Sequence, residues 1–465
     1  MELTGGRYPM VNKQTNPTWV LVLTSLGFFM AMMDSMIVTT ASTAIRNDFG
    51  ISVGELQWAL NAYNITIAAV LLIGVSIGDR IGHRRLYNIG LFIFVLGSVF
   101  CALSSNIDLL IASRVIEGIG ASVMTPMSMA ILTASIPPSE RGKALGIWSG
   151  IGGLALIVGP ALGGLIVAKL AWQWIFWINV PIGLIGIYLS QRKLPETQLQ
   201  DNQLNIIDSI LIVLSSAGII WALSESTSKM IQNSTLIVGV LSIVLGVVFV
   251  LRQRYEKRPM IPLSFFKSWT FSGGVISTFL LYASMYGVVF FLPQYLQVAD
   301  KSNALIAGLQ LLPWTGTLVI IAPIAGKAVD KFGERLVAIT GLLLQGIGYL
   351  WIVLSSVPGN PYWLMIIPLI VAGAGISMAG PALQKAALGS VSRAEIAKAS
   401  GIYNMFRLLG GAVGITVSVI IFYAFGDIVT TTAFTNGFSA AMIGSSVLSL
   451  LGILSSVGLR STLVK

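Results

Sequence analysis

Runs of about 20 apolar residues recur from one end of this chain to the other, with only short polar breaks between them. They fall near residues 18–44, 55–78, 87–105, 109–132, 143–168, 173–190, 205–224, 235–252, 271–296, 303–326, 336–356, 361–383, 399–425 and 437–458. In a bilayer such a run must close its backbone hydrogen bonds within itself, so each is expected to be one membrane-crossing helix. The predicted fold class is therefore an all-α polytopic membrane protein of about fourteen spans, with no stretch left over for a soluble domain. Composition supports this. Charged residues are 10% of the 465 and hydrophobic residues 55%, where soluble domains carry roughly 25% charge. A cytosolic enzyme, a disordered chain and a disulfide scaffold are excluded. The single cysteine, Cys101, and the single histidine, His83, cannot build a metal cluster. Residues 1–16 are polar and include Glu2, and the first run, from Trp19 to Ile45, is too long for a signal core. A retained first span is expected.

The net charge of +10 has a topological reading. With a cytosolic N-terminus, 22 lysines and arginines fall in inside segments and 4 in outside loops, while Arg114 and Arg407 fall within spans. Basic loops are retained on the cytosolic side, so both termini are expected inside. The excess of positive charge then calls for the lipid bilayer rather than nucleic acid as its partner.

An internal repeat is visible. Gly78 to Arg85 reads GDRIGHRR after the second run, and Gly326 to Arg335 reads GKAVDKFGER after the tenth. Their aspartates, Asp79 and Asp330, stand 251 residues apart. Equivalent loops imply a duplicated bundle. The expected organisation is an N-terminal six-helix bundle over 1–190, a linker with two inserted helices over 191–268, and a C-terminal six-helix bundle over 269–465.

The repeated loop resembles a motif of the major facilitator superfamily. Asp79, Arg80, Gly82, Arg84 and Arg85 match it, as do Gly326, Asp330, Lys331, Gly333 and Arg335. The first copy departs from the pattern at Val75 and at His83. The resemblance implies a latch that holds one conformation closed on the cytosolic side; the plainer reading is a basic loop that only sets topology. Gly159, Pro160, Gly163 and Gly164 in the fifth run resemble the superfamily's antiporter motif. Proline and glycine there imply a bent helix with a smooth face on which a neighbour can rock, or plain close packing. Arg114, Gly118, Gly120 and Ala121 resemble a motif linked to proton coupling, with Glu117 where the family usually has glutamine.

Further matches narrow the branch. Trp172, Trp174, Ile175, Phe176, Asn179, Pro181 and Gly183 are similar to a string typical of fourteen-span drug:proton antiporters, with Gln173 replacing an arginine. Asp34, Ile37, Val38 and Ala41 in the first run match that branch, and so do Gly401, Asn404, Arg407, Gly410, Gly411 and Gly414 in the thirteenth. The resemblance implies a major facilitator fold in the cytoplasmic (inner) membrane, exporting a small molecule by alternating access. Protons would be the coupling ion, with no other cofactor, and the expected unit is a monomer. An envelope adaptor is left open.

An ionisable side chain at mid-bilayer costs about 2.5–3.5 kcal/mol on insertion scales, so a functional role is its default reading. Asp34 precedes the outer end of its run by roughly 16 Å of helix, and Glu117 enters its own by roughly 12 Å, so both reach similar depth. Arg114 and Glu117, three apart, share a helix face. The expectation is that protonation of Asp34 or Glu117, with Arg114 beside them, competes with a lipophilic cationic cargo. The alternatives are static pairs with Arg114. Tyr282, Tyr286 and Phe290 form one helical stripe that could line a cargo cavity, with Trp58, Tyr63, Gln310, Trp314 and Asn404 as further candidates. Arg407 lies about 12 Å inside its run and either pairs with Asp79 or faces the cavity. Facing the cavity would favour the second expectation, a narrow exporter of a lipid, fatty acid, siderophore or antibiotic. Drug export by a multidrug transporter is the first.

Overall fold

A computed structural model describes residues 16–137, 140–196, 206–225, 233–256, 259–357, 359–392 and 395–460, and among these there is no strand. The helices are α1 (Pro17–Phe49), α2 (Val53–Ile81), α3 (His83–Ala102), α4 (Ile107–Ser135), α5 (Arg141–Lys169), α6 (Trp174–Trp177), α7 (Asn179–Lys193), α8 (Ile206–Glu225), α9 (Asn233–Tyr255), α10 (Trp269–Val298), α11 (Ala304–Gln310), α12 (Leu312–Phe332), α13 (Glu334–Ser355), α14 (Trp363–Gly389), α15 (Ile396–Phe425) and α16 (Thr431–Ser456). Each apolar run becomes helical. Two of them are interrupted, at Ile178 between α6 and α7 and at Leu311 between α11 and α12, where Pro313 opens the second segment. Twelve spans are long and apolar enough over their described residues to cross a membrane, and α8 contributes a shorter apolar stretch, Ile207–Ala222.

Polar side chains set the helix ends. Asn16, Asn106 and Asn303 cap α1, α4 and α11, and Ser52 forms a reciprocal capping box with Glu55 at the start of α2. The repeated loop is built the same way twice. Gly82 closes α2 at φ 98° with its amide on the Gly78 carbonyl, and Gly333 closes α12 at φ 82° with its amide on Val329. A side chain would strain this left-handed turn, which is why both copies hold glycine. We call the side where these loops emerge the basic face, and the other the opposite face.

The halves also share a packing device. In the first, α3 crosses α4 so closely that a Cβ on Gly97 would lie 2.7 Å from the Glu117 Cα; in the second, one on Gly348 would lie 2.8 Å from the Ala372 Cα. Backbones approach because the side chain is missing.

One buried apolar cluster, running from Ile37 and Ile45 through Ile166 to Leu292, Tyr295 and Phe422, joins the halves near the opposite face. The seam between α5 and α11 is tight there: a Cβ on Gly164 would lie 2.9 Å from the Leu305 Cα, and one on Gly308 3.1 Å from the Pro160 carbonyl carbon. Toward the basic face the same seam loosens. Gly153 of α5 meets nothing nearer than Val319 at 3.7 Å, and Gly316 of α12 meets nothing within 4 Å. Among the described residues the α5–α12 seam thus opens a cleft toward the basic side, while a second buried cluster, from Ile67 and Met127 to Phe271 and Met405, keeps the halves packed elsewhere on that side.

The inserted helices sit at the other seam. Ile220 of α8 packs between Ile65 of α2 and Ala412 of α15. Their hairpin is pinned at its basic end, where buried Asp208 accepts from Arg252 Nε at 2.7 Å and from Gln253 Nε2 at 2.6 Å. Gln253 in turn accepts from the Ile261 amide at 2.9 Å. Its second helix, α9, shows Leu236, Ile237 and Val240 outward, as a lipid-facing helix should.

Candidate functional site

Three ionisable side chains meet inside the N-terminal half. Asp34 comes from the middle of α1, and Arg114 and Glu117 from adjacent turns of α4. A single guanidinium nitrogen, Arg114 Nη1, donates to Asp34 Oδ2 and, at 2.6 Å, to Glu117 Oε2. Arg114 Nε donates to the Ala59 carbonyl at 3.1 Å, which ties α4 to α2. Exposure is 1% for Arg114 and 0% for both acids. The Tyr63 ring lies under the guanidinium, 4.1 Å from centroid to Cζ, and its hydroxyl donates to the Ala31 carbonyl at 2.9 Å.

Residues not proposed from the sequence as site residues complete the cluster. The Ser98 hydroxyl donates to Glu117 Oε1, and the Cys101 thiol lies 3.5 Å from Glu117 Oε2. Asn179 Nδ2 reaches Ser98 Oγ at 3.2 Å and Asp34 Oδ1 at 3.5 Å. The missing Cβ of Gly97 gives Glu117 its place against α3. Two acids share one base, so with both ionised one negative charge is uncompensated in a site sealed from water. A single proton removes it. Burial of net charge is costly, which makes this cluster a candidate for loading a proton.

A second charge lies in the C-terminal half. Arg407 of α15 is partly exposed, and its guanidinium sits over the Tyr282 ring at 5.4 Å. Tyr286 and Tyr403 are its other close neighbours. The Tyr403 hydroxyl donates to the Gly380 carbonyl at 3.2 Å. Backbone register gives the relative height of Asp79 and Arg407. Val53 meets Tyr423 and Asn61 meets Thr416, so α2 and α15 run antiparallel and Asp79 is level with about Lys398. That leaves about nine residues, or 13 Å of helix, between Asp79 and Arg407, in addition to the 8–10 Å between packed helix axes. The Asp79 side chain itself lies outside the described set.

The halves come close where Ser35 of α1, whose hydroxyl donates to the Met32 carbonyl at 2.9 Å, lies near Tyr286 of α10. Asp34 and Ser35 are neighbours on α1, one turned to the ion cluster and the other to the second half. Below this point, toward the basic face, Tyr282 and Asn404 are partly exposed, and the Asn404 amide donates to the Ser400 carbonyl at 2.9 Å. The remaining candidates lie elsewhere. Phe290 is fully buried against Phe291 in the opposite-face cluster. Trp58 packs beside α8 with Ile220 and Leu409. Trp314 is 3% exposed against Gly373 of α14, and the Gln310 carbonyl accepts from Tyr362 at 2.6 Å.

The glycine-proline stretch of α5 is two-sided. Gly159 and Gly163 admit Met36 and Ile37 of α1, and Pro160 and Gly164 receive Gly308 and Leu305 of α11. In the repeated loops the described partners lie on or next to adjacent helices. The Arg84 amide donates to Glu196 at 3.0 Å, and the Arg85 guanidinium lies 3.9 Å from it. Asp330 pairs with Lys385 at 2.7 Å. Arg80 and Arg335 are exposed.

The sequence matches the Major Facilitator Superfamily over residues 23–415 and 274–463. It is 31% identical over 359 residues to a riboflavin transporter, RibZ, of Clostridioides difficile, covering 77% of each chain. It is 30% identical over 406 residues to the methylenomycin A resistance protein of Bacillus subtilis, covering 87% of each. The match to "Probable multidrug resistance protein EmrY" of Escherichia coli is 31% over 404 residues, 86% of this chain and 79% of that one.

Proposed function

Because the chain belongs to the major facilitator superfamily and is a membrane transporter rather than an enzyme, we propose that it exports lipophilic, drug-like compounds across the cytoplasmic membrane in exchange for protons. The observation that carries this reading is the sealed Asp34–Arg114–Glu117 cluster, in which two acids share one base. With the basic face in the cytosol, the conformation described here accepts cargo from inside. Its opposite face is closed by the α5–α11 seam. After rocking, a proton arriving from outside would neutralise the cluster, and its loss toward the cytosol would restore the charge. Ser35 lies one residue from Asp34 and near Tyr286, so a shift of α1 on protonation would be felt where the halves approach.

The cargo's charge separates two readings. For a cation, Asp34 or Glu117 must come free of Arg114 during the cycle, since both are fully buried here. The narrow exporter of an acidic compound draws support from Arg407, which is only partly buried. Proton coupling is common to both.

The test uses purified protein in liposomes under an imposed pH gradient, following ethidium and an aromatic acid side by side. Wild type is expected to concentrate at least one of them against its gradient. Asp34→Asn and Glu117→Gln are expected to lose that uphill movement by at least about tenfold while keeping downhill exchange. Coupling left intact in both variants contradicts the proposal.

A further inference from the structure

We infer that Arg407, with Tyr282 and Tyr286, is the recognition point for an acidic group on the cargo, a carboxylate or comparable oxyanion carried on an aromatic or lipophilic body. This rests on the export reading above and names its substrate class.

The first ground is depth. Arg407 lies 11 residues from the start of α15 and 18 from its end, about 16 Å and 27 Å of helix, so its charge is far from either headgroup layer. The second is direction. Leu409 and Val413 of α15 pack toward α8, whereas Gly411, one turn from Arg407 on the same side, presses on the Tyr286 ring, 2.9 Å from where its Cβ would be. Arg407 therefore points into the seam between halves, not to lipid.

The third ground is the missing counter-charge. Among the described residues no carboxylate stands within ion-pair distance of Arg407, and register puts Asp79 about nine residues of helix away. The same chain gives its other intramembrane arginine, Arg114, two acids. Arg407 has a hydrogen bond with Tyr282 but no described carboxylate partner, so donors remain on the guanidinium for an oxyanion.

The fourth ground is an apolar surface on the first half. Ser35 lies near Tyr286, and α1 and α10 run parallel from the basic face, so Phe28, two turns below Ser35 on the same side of α1, falls by register below the level of Tyr282. Phe28 is partly exposed and stacks on Trp148 of α5 at 3.9 Å. The Trp148 indole N–H is buried without a partner among the described residues. An apolar plate on one half and a cation on the other suit an amphiphilic acid with a flat body.

The experiment measures binding of three probes with one body, pyrenebutyrate, pyrenebutanol and pyrenebutyltrimethylammonium, to full-length protein in nanodiscs, with empty nanodiscs subtracted. No pH gradient is applied, so the result is independent of proton coupling. Wild type is expected to bind the acid at least about tenfold more tightly than the alcohol, and the cation least. Arg407→Gln is expected to erase the acid's advantage while keeping alcohol binding, which shows that the variant is folded, and Arg407→Lys to retain part of it. Equal affinity for acid and alcohol in wild type, strongest binding of the cation, binding of none of the probes, or an acid preference that survives Arg407→Gln would each overturn the assignment. If instead the acid preference holds and the Asp34 and Glu117 variants keep their coupling, the export mechanism fails and the acid site stands.

Discussion

At the scale of single residues, the chain holds two arginines within the membrane and treats them oppositely. Arg114 is surrounded by acids and Arg407 by phenols. Removing one partner of a buried ion cluster leaves the others uncompensated, at a cost of about 3–5 kcal/mol. Arg114→Met is therefore expected to be the most destabilising change at the cluster, because it strands two carboxylates together. Adding Asp34→Asn and Glu117→Gln to it is expected to recover much of the loss. Thermal unfolding of the purified variants checks this order, and a triple variant no more stable than Arg114→Met alone contradicts it. Much of this site was legible in the sequence. Helical spacing put Arg114 and Glu117 on one face, and depth put Asp34 level with them. Ser98, Cys101 and Asn179 were not, since each is a small polar or thiol group on another helix and becomes a ligand only when α3 and α7 pack against α4. The pairing of Arg407 was left open because α15 is apolar around its whole circumference, and only contact with α2 and α8 orients it.

At the scale of elements, the glycines of α5 matter for which partner they admit. Gly159 and Gly163 seat α1 within one half, whereas Gly164 lets α11 of the other half close the opposite face. Gly164→Leu is expected to fold yet to shift the population toward a conformation open on that face, because only the closed seam excludes its side chain. Spin-label distances across the opposite face, measured on a background where the single cysteine is replaced by serine, are expected to lengthen relative to wild type. An unchanged distance distribution contradicts the seam's role. The helices themselves were readable because a bilayer leaves an apolar run no alternative. Their breaks at Ile178 and Leu311 were not, although Pro313 marks the second. Phe290 illustrates the limit of pattern: it continues the Tyr282–Tyr286 stripe, but one turn further along α10 the halves have already closed, and the ring is buried.

At the scale of the whole molecule, charge is divided between the halves. The first carries an acid excess sealed from water, and the second an arginine that is only partly buried. Ser35 and Tyr286 approach each other between the two charges. Transport coupled to protons follows if protonation of the first half changes how the second can move against it. The inserted pair α8–α9 covers the α2–α15 seam and leaves the α5–α12 seam as the one that loosens among those described. The most direct test of the central claim holds a transported cargo at equal concentration on both sides of a liposome membrane containing the intact protein, then imposes a pH gradient alone. The account predicts net cargo movement toward the acidic side, reversing when the gradient is reversed. Cargo that stays at equal concentration under either gradient, while exchanging freely, would identify a uniporter and contradict it.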